Sequence, residues 1–462
     1  MKIFQAVPTS KSFHFACLAC AIFLLWLPTF YFGFGHEEFR YLHYYSPGEV
    51  LKGFRSHWEP SLTESVGYRP GHMLHYWLFY QVAGNSAAAN HVIQLLVEEI
   101  AAGIFFLLLL NLGGTVSAAF WSVLLYASLG NTAWQVACIN NRQHLLLLLS
   151  CVGMIYFFSL FLDRARRGFL LASYLFFLGG LMIKEPAVLF PAFCLAAGTM
   201  VKKKKILLVI KPLVPTFVII LVYLGVRYFA IREASRVSES PPPIPMNAVW
   251  LLREYGRSLA GSLVQAQGSR GYDVMPSDDE FYGWSSCSWF GWAGVALLLS
   301  SGFFLVCKEN RGKRILAAWA VTVFLLASTL TALWYRTNRF FIASIGLTAF
   351  LGLAAAAAFR STEPGNRATD KVLGWTAIAG LAVYWGANLF AYQATIDLLY
   401  PNGIWIVDHC AVELVNSHEY IPEEMEKLMW EKIRLYGDES GTRRARELRH
   451  QRIGGAPHEY QY

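Results

Sequence analysis

Charge is scarce in this chain. Of 462 residues only 15% are Asp, Glu, Lys or Arg, against 55% hydrophobic residues and a mean hydropathy of +0.38, whereas soluble domains carry about 25% charged residues. A water-soluble globular enzyme is excluded on that ground, and the composition is that of an integral membrane protein. Cysteine is also uninformative as a framework: there are eight, and Cys17, Cys20, Cys151 and Cys194 fall inside apolar runs. Neither disulfide spacing nor metal-ligand spacing appears. No internal repeat is visible, and no small-residue cleavage site follows the first apolar run, which ends in Tyr31 and Phe32. That run is expected to be a retained anchor rather than a signal peptide. The formal charge of +8 comes from 39 Lys and Arg against 31 Asp and Glu. These cations sit in short clusters between apolar runs rather than along one soluble face, which argues against a nucleic-acid partner.

What is present is a series of apolar runs. A hydrocarbon core of about 30 Å takes roughly 20 residues of helix, and about eleven runs meet that description. They cover residues 13–32, 91–112, 116–139, 145–162, 169–183, 186–201, 206–228, 289–307, 315–334, 340–359 and 373–392. The fifth and sixth are short and meet at Lys184, Glu185 and Pro186, a hairpin whose tip does not fully cross. The fold class is therefore an all-α polytopic membrane bundle. Residues 1–395 form its transmembrane module, with outward loops at 33–90 and 230–288, and residues 396–462 form a short tail with an expected helix at 422–436.

Orientation follows from the excess of Lys and Arg in cytoplasmic loops. Arg164, Arg166 and Arg167, then Lys202 to Lys205, then Lys308, Arg311, Lys313 and Arg314, then Arg360, Arg367 and Lys371 occupy alternate connections. This parity places the N-terminus in the cytoplasm and the tail outside, as in a bacterial inner membrane. It also puts every unusual polar cluster on the outer face: Glu37 and Glu38 after the first run, the Lys184 turn, residues 230–288, and Arg336 to Arg339. Adjacent carboxylates at a membrane surface are costly unless solvated or used, so Glu37 and Glu38 are the first candidates for chemistry. Residues 68–80 show apolar and aromatic side chains at helical spacing, as does the stretch 249–263 with Arg253, Glu254 and Arg257; each reads as an amphipathic helix in the interface. The Gly-, Ser- and Asp-rich residues 268–286 between that second helix and the next run read as a lid. His72 and His75 read as packing or hydrogen-bonding residues rather than metal ligands. Asp278, Asp279 and Glu280 read as solvated acids, which leaves a divalent cation open. Glu98 and Glu99 lie deep in the second run, where an ionisable group is a functional candidate by default.

Several motifs in this order resemble the GT-C glycosyltransferases, in particular protein O-mannosyltransferase-like membrane enzymes. They are the acidic pair after the first helix, Tyr68-Arg69-Pro70 opening an interfacial helix, and Asn90-His91 before the second run. Asn141-Arg142-Gln143-His144, Lys184-Glu185-Pro186-Ala187 with Pro191, and the run from Asn338-Arg339-Phe340 to Gly346 complete the set. The resemblance implies transfer of a sugar from a polyprenyl-phosphate donor to an acceptor hydroxyl of a protein, lipid or polysaccharide on the outer face. A carboxylate base, Glu37 or Glu38, takes the acceptor proton, a role typically worth about 10²- to 10⁴-fold in rate. Arg142, Lys184, Arg339 and Arg69 hold the donor phosphate, where cations also stabilise the departing charge. The chain departs from that pattern in having Glu-Glu where Asp-Asp or Asp-Glu is usual, and in carrying Glu98 and Glu99 where a His is more common. Two other readings share the setting: a lipid-linked-glycan transporter or flippase, for which Glu98 and Glu99 speak, and an O-antigen ligase or polysaccharide polymerase.

Overall fold

A computed structural model describes residues 10–31, 45–55, 68–84, 86–234, 286–333 and 341–399. Among these residues the regular secondary structure is helical throughout. The chain order is α1 Lys11–Trp26, α2 Pro47–Lys52, α3 Pro70–Ala83, α4 Ala87–Asn111, α5 Val116–Ala127, α6 Gly130–Ala137 and α7 Arg142–Arg164. It continues with α8 Arg167–Ile183, α9 Phe190–Ala196, α10 Ile206–Ala234, α11 Ser286–Lys308, α12 Arg311–Leu333, α13 Phe341–Ser361 and α14 Ala368–Leu399.

The sequence supplies the starts and stops. Ser10, Ser86 and Thr115 each accept a backbone N–H three residues on, at the N-termini of α1, α4 and α5, and Ser46 with Glu49 closes a reciprocal capping box on α2. Pro70 opens α3, where its missing N–H costs nothing. At the far end of α7 the chain turns through Ala165 in the left-handed region, φ 52°.

Each of the eleven expected runs contains helix, with one correction. The third is not a single span: α5 stops at Ala127, and the chain turns at Ser128 and Leu129 before α6, where the Thr132 hydroxyl donates to the Tyr126 carbonyl at 2.7 Å. The 12 residues of α5 extend about 18 Å, short of a hydrocarbon core, so α5 and α6 share that passage. Among the described residues six helical segments are long and apolar enough to cross a membrane, and four shorter apolar ones accompany them. The hairpin at Lys184 has a 3₁₀ turn, Glu185–Leu189, at its tip, and its return limb ends in a π-helical turn at Ala197–Val201.

Packing separates a protein-facing core from a lipid-like exterior. Helix α13 is the inner member, with 94% of its apolar window buried against α5, α12, α11 and α14, whereas the α10 window is only 22% buried and exposes Leu207, Leu221, Val222 and Phe229. Small residues allow the close crossings: Gly294 of α11 and Gly380 of α14 lie against each other's backbone.

The two ends of the bundle differ in chemistry. At one end Lys202 donates to the Asn111 carbonyl and to Asp163, both at 2.6 Å, while Glu309 binds Lys313 and Arg360. The other end gathers Arg69, Arg142, Lys184 and Arg227.

Candidate functional site

The expected interfacial helix is α3, and one of its faces is packed against the rest of the protein. Its His72, Met73, His75 and Tyr76 are buried while Leu78 and Val82 are exposed. Gly71 is what lets it dock: a Cβ there would meet the Met182 backbone at 2.9 Å. The proline after it biases Arg69 toward extended backbone, and Arg69 sits just outside the helix with φ −143°. From there its side chain reaches the tip of the α8 hairpin.

At that tip Lys184 is extended, φ −160° and ψ 145°, which sends Lys184 and Glu185 in different directions. Glu185 accepts from Arg69 Nε and Nη2, each at 3.3 Å, and from Arg227 Nη1 of α10 at 2.6 Å. Lys184 Nζ lies 2.9 Å from His144 Nε2, with both side chains buried. The Tyr223 hydroxyl, one turn before Arg227, donates to the Tyr68 carbonyl at 3.3 Å and ties α10 to the start of α3.

Arg142 stands one layer further in. It is fully buried, its Nε donates to Gln94 Oε1 at 3.0 Å, and its Nη2 donates to the Asn90 carbonyl and Oδ1 at 3.1 and 3.0 Å. The guanidinium lies 4.6 Å from the Phe79 ring centroid, so Arg142 joins α7 to α4 and α3. Gln94 in turn donates to the Gln135 and Cys138 carbonyls, at 2.6 and 3.1 Å, which secures the loop before α7.

Between these layers lie two imidazoles, with His72 and His75 ring centroids 5.0 Å apart. Burial pushes His75 down to about 3, and the Arg142 cation adds to the effect. His72 is held well below the usual histidine range by burial, then by His75, Arg69 and Lys184. Both rings are therefore neutral at physiological pH, and the charge of the cluster is that of its three outer cations, Arg142 and one carboxylate.

Of the expected site residues, the fold brings Arg69 and Lys184 together through the Lys184–Glu185 turn, with Arg142 behind them. Glu37, Glu38 and Arg339 lie outside the described residues, as do the expected elements at 249–263, 268–286 and 422–436. Sequence reasoning did not select Arg227, although a cation inside an otherwise apolar run is a signal of the kind that marks functional sites. It quoted Glu185 and His144 only as parts of motifs. Glu98 is fully buried on α4 beside Tyr126, one helical turn beyond the Gln94 that Arg142 bonds. Among the described residues no group of three His, Cys, Asp or Glu side chains is placed to hold a metal ion.

No protein-family model matches the chain, and no curated protein sequence does. Its similarity lies in three dimensions. The apo oligosaccharyltransferase of Archaeoglobus fulgidus superposes over 94% of this chain and 61% of its own, with a TM-score of 0.51 at 14% identity. The chain therefore shares its fold with that archaeal membrane protein. The archaeal oligosaccharyltransferase AglB from Archaeoglobus fulgidus, in complex with an inhibitory peptide and a dolichol-phosphate, gives a TM-score of 0.51 at 14% identity over 92% of this chain and 60% of that one. ArnT from Cupriavidus metallidurans bound to undecaprenyl phosphate gives 0.45 at 14% identity, over 86% and 78%. The chain thus spans about 60% of the length of the oligosaccharyltransferases whose fold it resembles.

Proposed function

We propose that this protein is a membrane glycosyltransferase that moves a sugar from a polyprenyl-phosphate donor to an acceptor hydroxyl on the outer face of the membrane. The observation that carries the reading is made among the described residues: at one end of an apolar bundle Arg69 and Arg227 meet on the Glu185 carboxylate, and the adjacent Lys184 turns the other way to His144. Three cations against one Glu leave a positive surplus, which suits an anionic head group at a membrane surface. Arg227 belongs to α10, whose neighbouring Leu224, Val226 and Phe229 are exposed, so a prenyl chain has an apolar helix to lie against while its phosphate meets the cluster. The dolichol-phosphate complex of the similarly folded archaeal enzyme supports a lipid-phosphate ligand for this fold.

In the proposed reaction the acceptor oxygen attacks the anomeric carbon. The bond from that carbon to the phosphate oxygen breaks, its electron pair stays on the phosphate, and the acceptor proton passes to Glu37 or Glu38. Lys184, Arg69, Arg227 and Arg339 neutralise the phosphate as its charge grows. Arg142, bonded inside the protein through Nε and Nη2, positions the helices that carry them. The identity of the sugar, and whether it is a hexose or a pentose, belongs to pocket shape rather than to this charge pattern.

A second reading, a transporter of lipid-linked glycans, draws on Glu98 buried within α4. Transfer of labelled sugar from polyprenyl-phosphate donors in membranes separates the two. Glu37→Gln with Glu38→Gln is expected to lower transfer by about 10²- to 10⁴-fold, and Lys184→Met to lower it through donor binding. Full turnover in the double carboxylate variant removes the mechanism, and absence of product with wild-type protein favours the transporter.

A further inference from the structure

Among the described residues Glu185 is the one acidic member of the cluster, and its placement differs from that of the arginines around it. Its side chain is 9% exposed, against 17% for Arg69 and 23% for Arg227, so the carboxylate lies beneath the two guanidinium groups. Each guanidinium carries five N–H donors in a planar fork. Glu185 takes Nε and Nη2 of Arg69 and Nη1 of Arg227, and the remaining part of each fork is not committed to it. The two arginines come from separate elements, the residue before α3 and the second half of α10, and reach the same carboxylate from the hairpin tip. Two guanidinium groups this close repel one another unless an anion lies between them.

We infer that Glu185 is a positioning residue: it fixes Arg69 and Arg227 as a single fork for a prenyl phosphate, and Arg227 is a phosphate ligand. The inference rests on the donor reading of the preceding section. It carries a prediction of sign that simple charge counting reverses. Removing a carboxylate makes the cluster more positive, so Coulomb attraction alone predicts tighter anion binding in a Glu185→Gln variant. If Glu185 orders the arginines, the same variant binds more weakly, because two long side chains must then be ordered at the moment of binding.

The test is equilibrium binding of farnesyl phosphate to the full-length protein in lipid nanodiscs, read against ionic strength, with the thermal transition of each variant measured alongside. Wild type is expected to bind. Glu185→Gln is expected to raise the dissociation constant about 10-fold or more, the scale on which supporting-shell substitutions act at other ligand sites. Glu185→Asp is expected to restore part of that loss. Arg227→Lys, which keeps the charge and loses the fork, is expected to bind several-fold more weakly with an unchanged thermal transition. This variant supplies the reading should Glu185→Gln fail to fold. Folded Glu185→Gln that binds as tightly as wild type or tighter overturns the positioning role, and wild-type affinity in Arg227→Lys overturns the fork. Failure of the wild type itself to bind overturns the donor reading beneath them.

Discussion

Arg142 and Lys184 carry the same charge and stand near one another, yet their surroundings assign them different work. Arg142 is fully buried and gives three hydrogen bonds to Asn90 and Gln94. Replacing it by Ala opens a cavity and strips donors from buried amides, and hydrogen bonds to a charged group are worth about 1.5 to 3 kcal/mol each. Arg142→Ala is therefore expected to lower the thermal transition of the purified protein sharply, whereas Lys184→Met lowers donor binding with a smaller loss of stability. A stable, folded Arg142→Ala that has lost only donor affinity contradicts this division. The residue types at the site were legible in the sequence because Tyr68-Arg69-Pro70, Asn141-Arg142 and Lys184-Glu185-Pro186 are polar interruptions of apolar runs. Their pairing was not. Arg69 and Glu185 meet across 116 residues and Arg227 and Glu185 across 42, distances over which no local pattern reports contact.

At the level of helices, hydropathy located the elements because bilayer thickness imposes one length on all of them, and each apolar run did become helix. Hydropathy was blind to the interruption after Ala127, since Ser128 and Leu129 do not lower the apolar content of the run. It did not report which face of α3 packs on protein, where the buried face holds His72 and His75 and the exposed face holds Leu78 and Val82. In a membrane setting the usual sense of amphipathic pattern is inverted by neighbours on one side and lipid on the other. Close helix crossings give the most direct test at this scale. A Cβ added to Gly294 would lie 2.5 Å from the Tyr384 nitrogen and 2.9 Å from the Gly380 carbonyl, too near for either backbone to accommodate without shifting. Gly294→Ala is expected to destabilise the pairing of α11 with α14 by about 1 to 3 kcal/mol, the scale of overpacking. Differential scanning of solubilised protein measures it, and an unchanged transition would show that these helices do not cross as described.

For the whole molecule, the two ends of the bundle oppose the proposed binding face to a positively charged anchor. The Lys202, Asp163 and Asn111 network and the Glu309, Lys313 and Arg360 network lie at the end rich in short basic loops, and the Lys184 cluster lies at the other. The positive-inside bias then predicts that the cluster faces out of the cell. With the eight native cysteines replaced, a cysteine at Gln81 on α3 is expected to react with a membrane-impermeant maleimide in intact cells, and one at Lys203 only after lysis. The opposite pattern inverts the topology.

The central claim is that the lipid phosphate docks on Arg69, Lys184 and Arg227. The most direct measurement is an experimental structure of the protein with a polyprenyl-phosphate mimic in a bilayer nanodisc. The account predicts density for the phosphate in contact with Lys184 and the two arginines that flank Glu185, with the prenyl chain along α10. Phosphate density at the opposite end, among Arg164, Arg166 and Lys202 to Lys205, would contradict it.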